Sequence, residues 1–594
     1  MAGTPDSGPA ETGPDGAGPP LARWHLLWLG SLTLIAVFFV LEPLGTFAVF
    51  GSDTGEYFRL TSDLLTTGRL PASGYSGWGT AYPDFPGIFL LAGATAGALG
   101  VDTFDSLVIG IPVVAALSVV PLFLLFRRLV PHNSVALLGA AFAAVYMPRL
   151  FSIAHPAPLS LGDFLCVAAL WMFVEGRRDS RFYLPLALAS GALIVTHHLS
   201  SYFFLVSAAG GLVLLELWRP GSWSTRFPLR ELVFVGGFSS VLFAYWFVYS
   251  PQFIDILETG LPSVQRAILV PLVAGAWLLL VAAGITIRWR RRGPRPVLRV
   301  RYPSSWSVGR DMAIILVGTL AGIGLITVVP LPGTSQKTAL AAVVFFLPLL
   351  LSLALTAGTR RLVTFSRLSP FSIAWMTAVG LSAMLALAVA NPELPATRHA
   401  EYLLIPVGLL VALGTGHLVG RWAVPSGRGA IAAGVVAATV ILAANAAIAY
   451  PPPSVFGGFQ EGLTTSDAAL WMWVGVGLPG WAVLASDHRL SSMVFGFDGN
   501  PATWDSTLNL FTGDNWSLAA ADLHSSVAPH VAKPVNAVAI DLTMRSGVAL
   551  DPSASARPMS PEALAWLSAP PFVPLYESGA QVVYWVDGPV AATG

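Results

Sequence analysis

Apolar runs about as long as a bilayer is thick recur from residue 24 to residue 449 of this 594-residue chain. Stretches such as 311–330 and 338–357 approach the roughly 20 residues that a helix needs to cross a hydrocarbon core. In lipid every backbone amide must be bonded within its own segment, so runs of this kind are helices. The alternating segments of about ten residues that a spanning β-barrel requires are not found. Charged residues make up 11% of the chain, against about 25% in soluble proteins, so most of the surface cannot face water. The formal net charge is zero, which leaves nothing to draw in a nucleic acid. Cys166 is the only cysteine, which excludes an internal disulfide and a cysteine-built metal cage.

The candidate spans are thirteen: 24–43, 106–126, 134–151, 160–175, 182–196, 200–218, 230–250, 267–287, 311–329, 338–357, 370–390, 402–420 and 428–449. The segment 85–100 (FPGIFLLAGATAGALG) is short and rich in Gly and Ala, and reads as a helix lying in the interface. Arginine placement separates the two options for it, because cytoplasmic loops carry an excess of Lys and Arg. With the N-terminus in the cytoplasm and 85–100 kept outside, 22 of the 30 arginines fall on the inner side and 24 of the 32 acidic residues on the outer. A spanning 85–100 would move Arg127, Arg128 and the RWRRR run at 288–292 outside. The basic loop 288–310 is expected to rest against anionic lipid headgroups, which makes membrane lipids a partner. Residues 1–22 are mostly Gly, Pro, Ala, Thr and acids and are expected to form a disordered cytoplasmic tail. No small-residue cleavage site follows the first apolar run, which is therefore expected to stay as an uncleaved helix.

Beyond the last span, PPPS opens a segment of different character, 451–594. Capping residues precede helical runs at 464–476 and 560–569, and short strands are expected at 481–486, 492–497, 536–543 and 581–586. The expected fold is an α-helical polytopic membrane protein with about 13 transmembrane helices, here 23–450. A small extracytoplasmic α/β domain, 451–594, follows it. Asp487, His488 and Arg489 follow a strand and read either as facing a site or as a solvated turn.

Polar groups gather in the outer loops, where membrane proteins concentrate function. The first of these, 44–105, contains SDTGEY. Asp53 and Glu56 lie three apart, so on a helix starting near Ser52 they share a face. Such a pair holds a divalent cation through its oxygens or supplies a general base; Asp53 is also suited simply to cap the helix. The second loop supplies His155 and Asp163 as metal or proton-transfer groups and Arg149 as a phosphate ligand, with a helix cap the alternative for Asp163. The third has His197 and His198. A fourth cluster, NPELPATRHAEY at 391–402, sets Arg398, His399 and Glu401 at a helix end. A guanidinium there can hold a phosphate bidentately or serve as an interface anchor.

These residues resemble the GT-C membrane glycosyltransferases. That superfamily carries an acidic motif just after the first helix, as SDTGEY does. It then has a Pro-led interfacial helix, to which YPDFPGIFLL at 82–91 is similar, and a second acidic motif entering the fourth helix, corresponding to His155–Asp163. The order of helices and outer domain is similar to the catalytic subunit of oligosaccharyltransferase, although no WWDYG run occurs in 451–594. The resemblance implies a polyprenyl-phosphate-linked sugar as donor and a glycan, lipid or protein as acceptor. It also implies Asp53 as catalytic base with Glu56 assisting, and Arg398 near the donor phosphate. A divalent cation, magnesium or manganese, is a candidate cofactor on Asp53, His155 and Asp163. A transporter or flippase of lipid-linked saccharides is the competing class, but inverted repeats, which such proteins usually carry, are not detected.

Overall fold

The computed structural model describes residues 20–71, 75, 77–218, 228–254, 305–329, 340–361, 368–389, 396–426, 428–456, 460–503, 505–527, 532–547, 558–579 and 581–587. Twelve of the thirteen apolar stretches fall on helices; the stretch 267–287, the tail 1–19 and the basic loop up to residue 304 lie outside the described residues. Among the described residues six helical stretches are long and apolar enough to cross a membrane: Arg23–Gly45, Thr103–Leu129, Pro158–Gly176, His198–Trp218, Leu229–Tyr249 and Arg398–Gly416. The protein is thus a polytopic helical membrane protein. Other apolar helices are shorter than the runs that encode them. The run 134–151 is helical only over Asn133–Val145, because Pro148 lacks an amide proton to continue the ladder and forces the residues before it out of the helix; a short turn, Arg149–Ile153, follows. Helix Gly87–Leu99 has 13 residues, about 20 Å of rise, too short for a core of about 30 Å.

Small residues let the helices approach. A Cβ at Gly408 would lie 2.8 Å from the Ala143 amide nitrogen, and one at Gly414 would lie 1.8 Å from the Leu355 carbonyl oxygen. Close backbone approach of this kind is how helices pack where lipid removes the hydrophobic drive. At one end of the bundle, Arg128 pairs with Glu175 and Arg127 donates to Asn133. The other end carries loops 42–53, 146–157, 195–198 and the start of helix Ala396–Ser426, and onto it the C-terminal residues fold.

Those residues form a five-stranded sheet in the order Ala502–Thr503, Leu484–Ala485, Ala537–Ile540, Gln581–Val586 and Phe572–Ser578. The first three strands are parallel, and the last two run antiparallel to their neighbours. Thr464 and Asp467 form a reciprocal cap for helix Thr465–Gly477, and Ser560 caps Pro561–Leu567. The expectation of a strand at 492–497 is overturned: the segment lies in helix His488–Asp498, capped by Asp487 and ended at Gly499 with φ 73°. Residues 488–496 are all buried, so no polar stripe marks the helical period and the apolar run imitates a strand.

A two-stranded ribbon, Val49–Phe50 with Gly462–Leu463, ties the first loop to the C-terminal fold. Beside it, helices Thr54–Thr67 and His488–Asp498 run side by side in the same direction. Asp53 meets His488, Gly55 lies against Ser492 and Gly496, and Phe58 stacks on Phe497 with centroids 4.0 Å apart. A Cβ on Gly55 would sit 2.0 Å from the Ser492 carbonyl oxygen, and one on Gly496 would sit 1.9 Å from that of Gly55. Both contacts are backbone, so no side chain can yield. Gly55→Ala and Gly496→Ala are expected to cost about 1–3 kcal/mol each by overpacking, read as a lower unfolding midpoint in detergent. Gly97→Ala, where nothing lies within 4 Å of the added carbon, should leave that midpoint unchanged or raise it. Equal behaviour of all three would show that the crossing carries no stability.

Candidate functional site

Asp53 precedes the first turn of helix Thr54–Thr67, yet its side chain makes no capping bond, which removes the capping alternative. Its Oδ1 lies 2.6 Å from His488 Nε2, and its Oδ2 accepts from the hydroxyls of Tyr82 (3.1 Å) and Tyr57 (3.3 Å). Tyr57 is one helical turn beyond Asp53, and Tyr82 comes from the YPDFP turn. Burial pushes the Asp53 carboxyl up, but the His488 charge and hydrogen bond, with the two tyrosines, outweigh it and hold the group below its ordinary range. His488 moves the opposite way: burial lowers it, and the Asp53 carboxylate more than restores it. Both shifts favour the proton on His488 and the charge on Asp53. Asp53 keeps 30% of its side chain exposed while His488 keeps 9%, so the carboxylate is the member that an incoming molecule reaches.

Glu56 sits directly beneath, 2% exposed. Its Oε1 accepts from the Tyr75 hydroxyl at 3.0 Å and the Gly79 amide at 3.1 Å. Burial, then the Asp53 charge, push its carboxyl up to about 7, against the pull of Gly79 and Tyr75. Its oxygens are spent on the loop that delivers Tyr82, so it anchors that loop and does not face a substrate.

From Asp53 the polar groups continue as a chain. The Ser52 amide donates to Glu461 Oε2 at 3.0 Å, and the same oxygen lies 4.0 Å from His155 Nε2. His155 stacks on Phe50 at 4.7 Å; burial, chiefly, lowers its basicity, Glu461 opposes this and the Arg398 charge adds to it. Arg398 Nη1 donates to Glu401 Oε1 at 3.0 Å, and its side chain is 43% exposed. Glu401 also accepts from Ser152 at 2.8 Å. Asp53 and His488, Glu461 and His155, and Arg398 and Glu401 therefore form three polar pairs, and the Arg398 charge is felt at His155.

The remaining candidates lie elsewhere. Arg149 is 1% exposed and held from within: Nε and Nη2 meet the two Asp163 oxygens at 3.1 and 2.5 Å, Nη1 donates to the Ala143 carbonyl, and Nη2 also reaches Ser118. The guanidinium is thus committed to Asp163, Ala143 and Ser118 inside the protein, and both Asp163 oxygens face Arg149. His399 is buried against Phe203 and bonded to Ser382. His197 accepts from the Ser200 amide as a helix cap, and His198 packs against Phe253 and Phe85.

The three proposed metal ligands thus turn to three different partners, and among the described residues no group of three His, Cys, Asp or Glu side chains is arranged to hold an ion. The residues do not fit the magnesium or manganese site that the spacing suggested. Two readings of the C-terminal segment also change. His488 and Arg489 are buried, not a solvated turn. Tyr57, Tyr75, Tyr82 and Glu461 join the site without having been singled out; only Tyr57, four residues after Asp53, had a helical-spacing signal.

No protein-family model and no curated protein matches the chain. Among solved structures, the arabinofuranosyltransferase AftD from Mycobacteria is similar at 13% identity and a TM-score of 0.46, over 97% of this chain and 40% of that one. ArnT from Cupriavidus metallidurans bound to undecaprenyl phosphate is similar at 12% identity and a TM-score of 0.35, over 96% of this chain and 100% of that one. Its apo form gives 13% and 0.36, over 95% and 99%. The chain spans about two fifths of the length of AftD, and all three TM-scores lie below 0.5.

The burial of Arg149 against Asp163 has a direct test. Arg149→Met strands a buried carboxylate and should cost about 3–5 kcal/mol, measured as a lowered unfolding midpoint. Arg149→Met combined with Asp163→Leu should recover most of that loss. Unchanged stability with weakened phosphate binding in the single variant would return Arg149 to the ligand surface.

Proposed function

We propose that this protein is a membrane glycosyltransferase that moves a sugar from a polyprenyl-phosphate donor to an acceptor hydroxyl on the extracytoplasmic face. The observation that carries the reading is the accessible Asp53 carboxylate, held ionised by His488, Tyr57 and Tyr82, at the same end of an apolar bundle as the half-exposed Arg398. A donor with a lipid tail and an anionic head needs this combination: apolar helices beside the tail, a cation for the phosphate, and a base beside the sugar.

In this reading the donor enters from the bilayer with its phosphate at Arg398. Asp53 takes the proton of the acceptor hydroxyl as the acceptor oxygen bonds to the anomeric carbon. The bond from that carbon to the phosphate oxygen breaks, and the lipid phosphate leaves with the electron pair. Glu56 is committed to its loop, so a single displacement with inversion is the expected course. His488 keeps Asp53 deprotonated until an acceptor arrives, and the tyrosines fix the direction of its free lone pairs. Sugar, acceptor and the cytoplasmic placement of the arginine-rich loops belong to the proposal. Purified protein incubated with candidate polyprenyl-phosphate sugars should strip the sugar from the lipid; no release from any of them would remove the reading.

Two variants probe the base. Asp53→Asn keeps the size but cannot accept the proton, so transfer should fall by about 10²–10⁴-fold in a folded protein. His488→Gln removes the cation that holds Asp53 down. The carboxylate is the active form, so activity is lost as pH falls through the Asp53 pKa, and this acid limb should move to higher pH in the variant. An unmoved limb would detach His488 from Asp53 ionisation. Arg398→Lys keeps charge without the planar fork and should raise the donor KM while leaving the unfolding midpoint in place; an unchanged donor KM would make Arg398 an interface anchor.

A further inference from the structure

We propose that Arg489 is a positioning residue, a buried clamp that sets His488 against Asp53 from the C-terminal sheet. The inference rests on the reading of Asp53 as the base. Arg489 is fully buried and occupies the helical position next to His488. Its Nε and Nη2 donate to Asp487 Oδ2 at 2.8 and 2.5 Å, Nη2 also reaches Asp541 Oδ2 at 2.8 Å, and Nη1 donates to the Gly462 carbonyl at 2.9 Å. Each partner belongs to a different element. Asp487 caps helix His488–Asp498 through its other oxygen, which accepts from the Leu490 amide at 3.0 Å. Asp541 follows strand Ala537–Ile540 and caps the next turn in the same way, accepting from the Met544 amide at 2.8 Å. Gly462 pairs with Phe50, three residues before Asp53.

One guanidinium therefore joins the helix that carries His488, the sheet behind it and the ribbon that leads into Asp53. With the ribbon fixed on one side and the helix N-terminus on the other, the separation of Asp53 and His488 is no longer free to vary. The charges around the clamp are unequal. Asp467, bonded to Gln581, is the third carboxylate near one cation. Burial, opposed by Arg489, pushes Asp487 up to about 6, and burial with the Asp541 charge raises Asp467. Stability alone does not call for such a group, since apolar replacements of buried ion clusters are often neutral or better; geometry at the neighbouring residue does.

Asp487→Asn is the decisive variant. Asn caps a helix as well as Asp, and Arg489 keeps Asp541 and the Gly462 carbonyl as partners, so a folded protein is expected at a lower unfolding midpoint, but one amide oxygen cannot serve both the Leu490 amide and the fork of Arg489. As a misplacement of the pair, it should lower kcat on the order of 10- to 100-fold with the donor KM unchanged, and should move the acid limb upward as His488→Gln does. In the doubly substituted protein the two losses should not multiply. Arg489→Lys, charged but without the fork, should not restore kcat. A wild-type acid limb in Asp487→Asn beside a shifted one in His488→Gln overturns the clamp alone. Multiplying losses overturn it as well. Wild-type behaviour of His488→Gln removes both the clamp and the pairing through which it acts.

Discussion

Everything chemical in this molecule depends on two glycines that let two helices touch backbone to backbone. At Gly55 and Gly496 the helices Thr54–Thr67 and His488–Asp498 come so near that a methyl group on either would lie within 2.0 Å of a carbonyl oxygen. Because the helices run in the same direction, their N-termini arrive together, and with them Asp53 and His488. The N-terminal end of a helix carries partial positive charge, so two of them side by side favour the ionised Asp53 carboxylate and oppose a proton on His488, which the Asp53 charge holds in place.

The chain uses arginine in two opposite ways. Arg149 and Arg489 are 1% and 0% exposed, and all three nitrogens of each guanidinium donate to groups within the protein. They hold helices and strands in place. Arg398 shares one short bond with Glu401 and leaves much of its guanidinium open. The difference is one of neighbours: Asp163 and Asp487 take the Nε–Nη2 edge of Arg149 and Arg489 while the carbonyls of Ala143 and Gly462 take Nη1, whereas Glu401 meets Arg398 through Nη1 alone.

Much of this was legible in the amino-acid sequence. Apolar length located the helices, since a bilayer leaves the backbone no other choice, and the SDTGEY run pointed to Asp53. The chain of Arg398 and Glu401 beside His155 was visible as loops sharing one face. What stayed hidden was pairing across long separations. His488 stands 435 residues from Asp53, and no local periodicity reports such a contact. Arg149 and Asp163 were both picked for ligand binding because sequence shows charge without showing who neutralises it. The segment 492–497 was read as a strand because burial of 488–496 left no polar stripe at the helical period, so that only the Asp487 cap and the Gly499 stop mark the helix.

The ribbon between Val49–Phe50 and Gly462–Leu463 has a consequence for timing. It closes a loop of more than four hundred residues, and closure of a loop that long has to await synthesis of its second strand. A ribosome making this chain inserts the helices one after another while Asp53 has no imidazole beside it. Only when residues near 490 have emerged and docked does the carboxylate acquire its partner. Until then a chain already resident among lipids carries Asp53 without the imidazole that meets it in the folded protein.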